Sequence, residues 1–191
     1  MKKYALIGLG TEGSKTVDSF DYDNKSIDKV AIDSDEECLN SLKNSRTVKI
    51  NIEKENENHK LLEEDKKKIS DLIKEYDTVC FLVCLWYDTY KDADIIKEII
   101  KVHNDSCFIF IQTPLSFMGT KANIYAQEAI DYIKKVTKNV YVIDTKETLQ
   151  RIKTFTEDDW DMQYMNCAIV WKHQKDFMRK FKSRFSTEEE K

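Results

Sequence analysis

The sequence predicts an α/β fold, a doubly wound parallel sheet with helices on both faces. Strand-like and helix-like stretches alternate along the whole chain, which is typical of this class. Two almost unbroken apolar runs, Thr78–Leu85 and Cys107–Ile111, are typical of strands that are covered on both faces. A glycine-containing turn, Ile7–Gly13, joins the first strand to the first helix. We therefore expect ligands to bind beyond the carboxyl ends of the strands.

The first half of the chain predicts three strands and three helices. The strands are short apolar stretches, at Tyr4–Leu9, Lys29–Asp33 and Thr47–Ile52. The helices are expected where apolar residues recur at helical spacing, at about Gly13–Phe20, Asp35–Lys43 and Leu61–Tyr76. The segment Glu53–Lys60 is charged and is expected to be irregular.

The second half continues the alternation. Its strands are expected at Thr78–Leu85, Cys107–Ile111 and Asn139–Asp144. Its helices are expected at Asp92–His103, Thr120–Lys135 and about Glu157–Phe181. The last of these is a long C-terminal helix whose apolar stripe is expected to pack on the sheet. The sequence therefore predicts one domain over residues 1–182 and a charged tail over residues 183–191.

Composition argues against several functional classes. With a net charge of −4 and a pI of about 5.5, the chain lacks the basic character of a general nucleic-acid-binding protein. No apolar run approaches the ~20 residues that span a bilayer, so we expect no transmembrane segment. Five cysteines without a CxxC pair and three scattered histidines indicate reduced thiols and no metal site. Met1 leads almost directly into a strand, so we expect no signal peptide and a cytoplasmic location.

Three of the four glycines, Gly8, Gly10 and Gly13, lie in the turn after the first strand. Such a turn directs backbone N–H groups and the positive end of a helix dipole at one point, which suits a phosphate. Gly8 would permit the turn, Gly10 would let a ligand approach the backbone, and Gly13 would let helix and strand pack closely. Glu12 opposes this interpretation, because its carboxylate lies where a phosphate would approach. The alternative is a tight corner with no ligand.

Asp33 ends the second strand about 20 residues after Gly13, where a dinucleotide-binding fold places the acid that holds a ribose. One hypothesis is therefore a Rossmann-type dinucleotide-sensing regulatory domain. The stretches Gly8–Gly13 and Val30–Asp33 are similar to those of regulatory potassium-channel domains. Alternatively, Asp33, Ser34 and Asp35 cap the following helix.

The order of elements also resembles the nucleotide-binding domain of the FtsZ/tubulin family, and the likeness runs from residue 3 to about 180. Ile7–Gly13 is similar to the family's first phosphate loop, and Val30–Asp35 resembles its second strand. The most specific match is Phe110–Gly119, since the family follows a buried strand with a Pro-Phe-Ser-Phe-Glu-Gly turn. The helix from Trp160 onward resembles the family's long central helix.

The resemblance implies a Rossmann-like, FtsZ/tubulin-type domain with a guanine nucleotide, GTP or GDP, as its ligand. The residues implied to contact it are Gly8, Gly10, Thr11, Gly13, Ser14, Asp33, Thr89, Thr113 and Asn166. The sequence departs from the family at other loops, however. The signature Gly-Gly-Gly-Thr-Gly-Thr-Gly is replaced by Leu85–Asp92, and a second glycine-rich loop by Glu53–Asn58. The chain also stops after the central helix, without the loop that triggers hydrolysis in the next subunit.

These departures predict that GTP hydrolysis by the family mechanism is lost and that GTP or GDP binding is at most residual. No catalytic residue is assigned. The predicted function is binding of a protein partner or self-association. Trp86, Tyr87 and Tyr90 are candidates for the contact surface, because exposed aromatic residues in one loop mark interfaces. Alternatively, these three side chains fold inward and fill the nucleotide pocket.

Overall fold

The computed structural model describes residues 3–20, 27–55, 58–85, 89–103, 107–114 and 119–145, without the side chains of residues 54, 55, 58, 89 and 90. The chain divides into two compact units, Met1–Asp144 and Thr145–Lys191. Only Thr145 of the second unit is described. The expected helix Glu157–Phe181, the expected tail and Asn166 therefore lie outside the described residues, and the single domain over residues 1–182 stays a prediction.

Strands and helices alternate through the first unit, except for three successive strands between residues 46 and 61. The strands are β1 Tyr4–Leu9, β2 Ile27–Asp33, β3 Arg46–Lys49, β4 Ile52–Glu55, β5 Asn58–Leu61, β6 Thr78–Cys84, β7 Cys107–Gln112 and β8 Val140–Ile143. The helices are α1 Gly10–Ser19, α2 Glu36–Ser41, α3 Glu63–Lys74, α4 Thr89–His103 and α5 Thr120–Val136. Six strands form one sheet in the order β3-β2-β1-β6-β7-β8, and every neighbouring pair is parallel. The predicted parallel α/β sheet is confirmed.

The two faces of the sheet are covered by different helices. On β1, Ala5, Ile7 and Leu9 belong to the main apolar cluster, which also includes buried residues of α3, α4 and α5. On the opposite face α1 lies so close to β6 that a Cβ atom at Gly13 would be 2.6 Å from the Leu82 carbonyl oxygen. The sheet is therefore doubly wound, as the buried strands indicated.

The segment Glu53–Lys60, expected to be irregular, instead forms most of an antiparallel hairpin. Strands β4 and β5 pair from Ile52 opposite Leu61 to Glu55 opposite Asn58. The hairpin is held by α4, because the backbone N–H of His59 donates to Asp94 (3.1 Å) and that of Leu61 to Glu98 (3.2 Å). These strands carry polar residues on both faces, so the sequence contains no alternating pattern that would predict them.

Some element boundaries also differ from expectation. Helix α1 begins at Gly10, directly after β1, rather than at about Gly13, and α4 begins at Thr89 rather than Asp92. The expected third strand ends at Lys49, and the chain leaves the sheet at Asn51 before β4 begins at Ile52. There the buried Asp65 carboxylate accepts hydrogen bonds from the Asn51 backbone N–H (2.8 Å) and side-chain amide (3.2 Å).

Four of the five cysteines are among the described residues. Cys38, Cys80, Cys84 and Cys107 are buried free thiols. Within the described ranges, no cluster of histidine, cysteine or acidic side chains has the arrangement of a metal site. Of the five helices described, none has both the length and the apolarity that crossing a bilayer requires.

Candidate functional site

The carboxyl ends of the six parallel strands lie at one edge of the sheet, where this fold class binds ligands. Six predicted site residues meet there, around the β1–α1 junction and the end of β2: Gly8, Gly10, Thr11, Gly13, Ser14 and Asp33. Thr113 follows β7 at the same edge, and its N–H donates to the Ile143 carbonyl (3.0 Å). Thr89 begins α4, the helix after β6.

Gly8, Gly13 and Ser14 hold α1 tightly against the sheet. A Cβ atom at Gly8 would overlap the carbonyl group of Gly13. Ser14 is fully buried, and its hydroxyl has two carbonyl oxygens within hydrogen-bond distance as acceptors for its one proton, those of Gly8 (3.3 Å) and Ile32 (3.5 Å). Helix packing alone therefore explains these three residue types, and the interactions of Ser14 are with the protein itself.

Gly10 is the first residue of α1 and has a φ of +71°, a conformation that favours glycine. A Cβ atom there would overlap the carboxylate of Asp92, so this carboxylate lies against the Gly10 Cα. Asp92 belongs to the first turns of α4 and is 3% exposed. The carboxylate of Asp92 therefore lies beside the first residue of α1, at the helix end where the dipole favours an anion.

Asp33, the predicted ribose-binding acid, is 1% exposed and surrounded by donors of the protein. Its Oδ2 accepts a hydrogen bond from the Thr11 hydroxyl (2.7 Å). Its Oδ1 accepts from the backbone N–H groups of Ser34 (2.7 Å) and Asp35 (3.2 Å). The Lys91 ammonium lies 3.7 Å from the same oxygen. A carboxylate has about four acceptor positions, so this network leaves little capacity for ribose hydroxyls.

Of Asp33, Ser34 and Asp35, the three residues of the capping alternative, Asp35 is the N-cap of α2. Its side chain accepts hydrogen bonds from the backbone N–H groups of Glu37 (2.9 Å) and Cys38 (3.2 Å), so it caps α2. The capping alternative for this stretch is therefore correct for Asp35. Asp33 instead connects β2 to α1 through Thr11 and to α4 through Lys91.

Two buried cysteine thiols near this edge have raised pKa values. Burial raises the pKa of the Cys38 thiol to about 11, with the Asp33 charge as the next cause. Burial also raises the pKa of Cys84, and the charges of Glu12 and Asp92 raise it further. The Lys15 charge acts in the opposite direction on the pKa of Cys38. The observation that opposes a phosphate group at Gly10 is therefore the Asp92 carboxylate that lies against its Cα.

The remaining predicted residues lie outside this description. Trp86, Tyr87 and Asn166 are not among the described residues, nor are the side chains of Thr89 and Tyr90. Whether the aromatic residues fill a pocket or form a contact surface thus stays a prediction.

Sequence reasoning missed Asp92 and Lys91. Their position in the sequence could have indicated them, because both lie in the first turns of the helix that follows a central strand. Charged side chains in those turns lie at the ligand-binding edge of the sheet.

No protein-family model matches the chain, and no curated protein matches it in sequence. Solved structures match it in fold. A mutant of FtsZ from M. jannaschii gives a TM-score of 0.68 at 20% identity, over 88% of this chain and 54% of that one. CetZ from Methanosaeta thermophila gives 0.67 at 13% identity, over 95% and 54%. A GTPγS-form protofilament of TubZ from Bacillus thuringiensis serovar israelensis gives 0.58 at 15% identity, over 91% and 55%.

At these identities the likeness shows the fold alone. The chain has the fold of an FtsZ/tubulin-like nucleotide-binding domain. It spans little more than half the length of the solved structures that it matches, and their C-terminal domain is not covered.

Proposed function

We propose that this chain, with its FtsZ/tubulin-like fold, is a divergent domain that does not hydrolyse GTP, or does so only very weakly, and that acts by binding a protein partner or by self-association. The observation that carries the proposal is the contact between the Asp92 carboxylate and Gly10. The protein's own anion lies at the helix N-terminus that would otherwise receive a phosphate.

The repulsion between the Asp92 carboxylate and a phosphate determines how much nucleotide affinity the domain would lose. At an effective dielectric of about 20, two unit charges about 4 Å apart repel each other by roughly 4 kcal/mol. A penalty of that size weakens binding by about a thousandfold. Glu12 adds a further carboxylate to the same turn. Binding of GTP or GDP is therefore residual at most, at a site that includes Gly8, Gly10, Gly13 and Ser14.

The loss of hydrolysis has a separate basis in the sequence. Leu85–Asp92 replaces the family's signature glycines, whose backbone N–H groups approach the phosphates. Bulky and acidic side chains at these positions do not permit the same backbone path. Removing the Asp92 charge would thus relieve repulsion without restoring turnover.

A domain that neither hydrolyses GTP nor binds it tightly would act by binding a protein partner or by self-association. TubZ, one of the solved structures of this fold, forms a protofilament in its GTPγS form, which supports self-association as a capacity of the fold. Trp86, Tyr87 and Tyr90 stay part of this proposal, as a contact surface or as a filling of the pocket. No observation favours the dinucleotide-sensing alternative, because Asp33 is enclosed by Thr11, the turn after β2 and Lys91.

A phosphate-release assay tests the proposal. We expect the purified full chain to release no phosphate from GTP above the buffer background, at any protein concentration. The variant Asp92→Asn should also release none, because it lacks the signature glycines as the wild type does. A rate of release per protein molecule that increases with protein concentration would overturn the proposal, since it is the behaviour of an enzyme whose active site is completed by assembly.

A further inference from the structure

Strand β8 forms one edge of the six-strand sheet and pairs with β7 on its inner side. The backbone N–H of Ile109 in β7 donates to the Asn139 carbonyl (2.8 Å), so residues 139, 141 and 143 direct their peptide groups toward β7. Because these directions alternate along a strand, the peptide groups of Val140 and Val142 point away from the sheet. Within the described part of the chain, no group hydrogen-bonds to these two peptides.

The side chains of β8 are apolar on both faces of the sheet. Val140 and Val142 pack, partly buried, against the main apolar cluster. Tyr141 lies on the opposite face, where its ring centroid is 5.3 Å from that of Phe110. All three residues of the strand keep some exposed surface. An apolar edge strand with open peptide groups and no charge or proline of its own is a template for another strand.

The other edge of the sheet is protected against such pairing. Strand β3 carries exposed charged residues at both of its ends, Arg46 and Lys49. Each charge has an acidic partner on a neighbouring helix or turn, since Arg46 pairs with Glu75 (2.7 Å) and Lys49 with Glu36. Charged side chains on an edge strand prevent it from accepting another strand. The contrast indicates that β8 is the edge at which a further strand fits.

We propose that β8 pairs antiparallel with β8 of a second copy of this chain, about a two-fold axis that passes through Tyr141 perpendicular to the sheet. The two sheets then form one continuous sheet. This inference rests on the proposed function, because it names a second copy as the partner. Main-chain hydrogen bonds give the affinity in this mode of strand addition. The contact uses the same strand of both copies, so the dimer is closed.

The sequence around Tyr141 is complementary to itself in the antiparallel direction. The axis places Val140 opposite Val142 of the second copy, and these are the residues whose peptide groups point outward. It also places Lys138 opposite Asp144 of the second copy, once on each side of the axis. Both charged residues are exposed and flank the strand. A shift by two residues, the smallest that keeps outward peptide groups paired, would separate these charges.

The axis also brings the two Tyr141 side chains together. They become directly opposite neighbours on one face of the new strand pair, at a position where side chains lie close. The existing contact between Phe110 and Tyr141 then continues across the interface. Aromatic pairs of this kind stabilise neighbouring strands.

Helix α5 does not prevent the contact. It connects β7 to β8 and therefore lies over these two strands. With strands about 4.8 Å apart, the α5 helices of the two copies lie two strand spacings apart, about 10 Å, which is a distance of packed helices. Tyr125 binds Asp94 in α4, and the exposed Gln127 and Lys134 lie on the opposite side of α5. The two helices would thus meet through polar side chains.

Sedimentation velocity on the full chain tests the proposed dimer. We expect a concentration-dependent monomer–dimer equilibrium. The single charge reversals Lys138→Asp and Asp144→Lys should each weaken dimerisation by about tenfold, because like charges then meet at both ends of the paired strands. The double variant with both substitutions should recover the wild-type association, because the exchange restores two pairs of opposite charge.

A matched control separates this contact from general charge effects. Lys43→Asp makes the same charge change at an exposed position after α2 and should leave association unchanged. Unchanged thermal melting of each variant shows that the fold is intact.

Amide hydrogen exchange locates the contact. The N–H groups of Val140 and Val142 should exchange more slowly at high than at low protein concentration, because the second copy supplies their acceptors. Protection that is equal at all concentrations would mean that another segment of the same chain pairs with β8, and it would overturn the proposal.

A chain that stays monomeric up to about 1 mM, or a double variant that fails to recover association, would also overturn the proposed dimer. Association that none of the substitutions affects would exclude β8 as the contact. These results leave the phosphate-release prediction intact, so the two proposals fail separately.

Discussion

Gly10 and Asp92 belong to different elements, yet they form one feature of the structure. The carboxylate of Asp92 occupies the space in which any side chain at position 10 would lie. Gly10 also has a positive φ of 71°, which disfavours every other residue type. Glycine at this position is thus required by the protein's own packing, whether or not a ligand ever approaches it.

A double-mutant cycle tests this feature. Gly10→Ala should destabilise the fold by about 2 kcal/mol or more, because it adds steric overlap with Asp92 to the cost of a positive φ. In an Asp92→Ala background the overlap is absent, so the same substitution should destabilise the fold only by the cost of the positive φ, about 1 kcal/mol. Chemical denaturation of the four proteins measures the coupling. Equal costs of Gly10→Ala in the two backgrounds would show that the two residues do not contact each other.

At the scale of elements, Asp94 joins three parts of the fold. Its carboxylate accepts hydrogen bonds from the His59 backbone N–H in β5 (3.1 Å), the Tyr125 hydroxyl in α5 (2.8 Å) and Lys97 in α4 (3.1 Å). Burial alone would raise the pKa of Asp94, but these hydrogen bonds outweigh it and the pKa is lowered. Asp94 therefore holds the β4–β5 hairpin to the helical layer as a charged acceptor.

Asp94→Ala should release the hairpin and cost about 2–4 kcal/mol, because it leaves partly buried donors without an acceptor. Amide hydrogen exchange at His59 and Leu61 should accelerate, while exchange in β1 and β6 should change less. The matched control Glu64→Ala, at an exposed position of α3, should have little effect on either quantity. Unchanged exchange at His59 would exclude this role for Asp94.

The same carboxylate predicts a pH dependence. The folded-state pKa of Asp94 is below its unfolded value, so its stabilising effect is fully present above a pH of about 4. The effect is lost as the pH falls through the lower folded-state pKa. The stability difference between the wild type and Asp94→Asn should therefore be constant near neutral pH and decrease below about pH 4.

At the scale of the whole molecule, the sequence predicts the sheet well. Thr78–Leu85 and Cys107–Ile111 are recognisable because strands covered on both faces must be apolar throughout. The hairpin of β4 and β5 is not recognisable, because carboxylates on α4 hold it and its own residues are mostly polar. Local sequence patterns indicate which residues are buried. They do not indicate which helix supplies the hydrogen-bond acceptors that hold a polar strand.

The candidate site could likewise be predicted from the sequence only in part. Gly8, Gly10, Gly13 and Asp33 are recognisable from their spacing, and the structure brings them to one edge of the sheet. The contact of Asp92 with Gly10 depends on the approach of α4 to α1, which residues 82 positions apart in the chain do not reveal. The sequence therefore identifies the likeness to a nucleotide site, whereas the contact of Asp92 with Gly10 is visible only in the folded chain.

The central claim is that a carboxylate of the protein occupies the position of a phosphate. Calorimetric titration with GTP and magnesium, on the wild type and on Asp92→Asn, tests it most directly. We expect the wild type to bind with a Kd of about 1 mM or weaker, and Asp92→Asn to bind more tightly because the repulsion at Gly10 is removed. Micromolar binding by the wild type, with no gain in affinity from Asp92→Asn, would contradict the account.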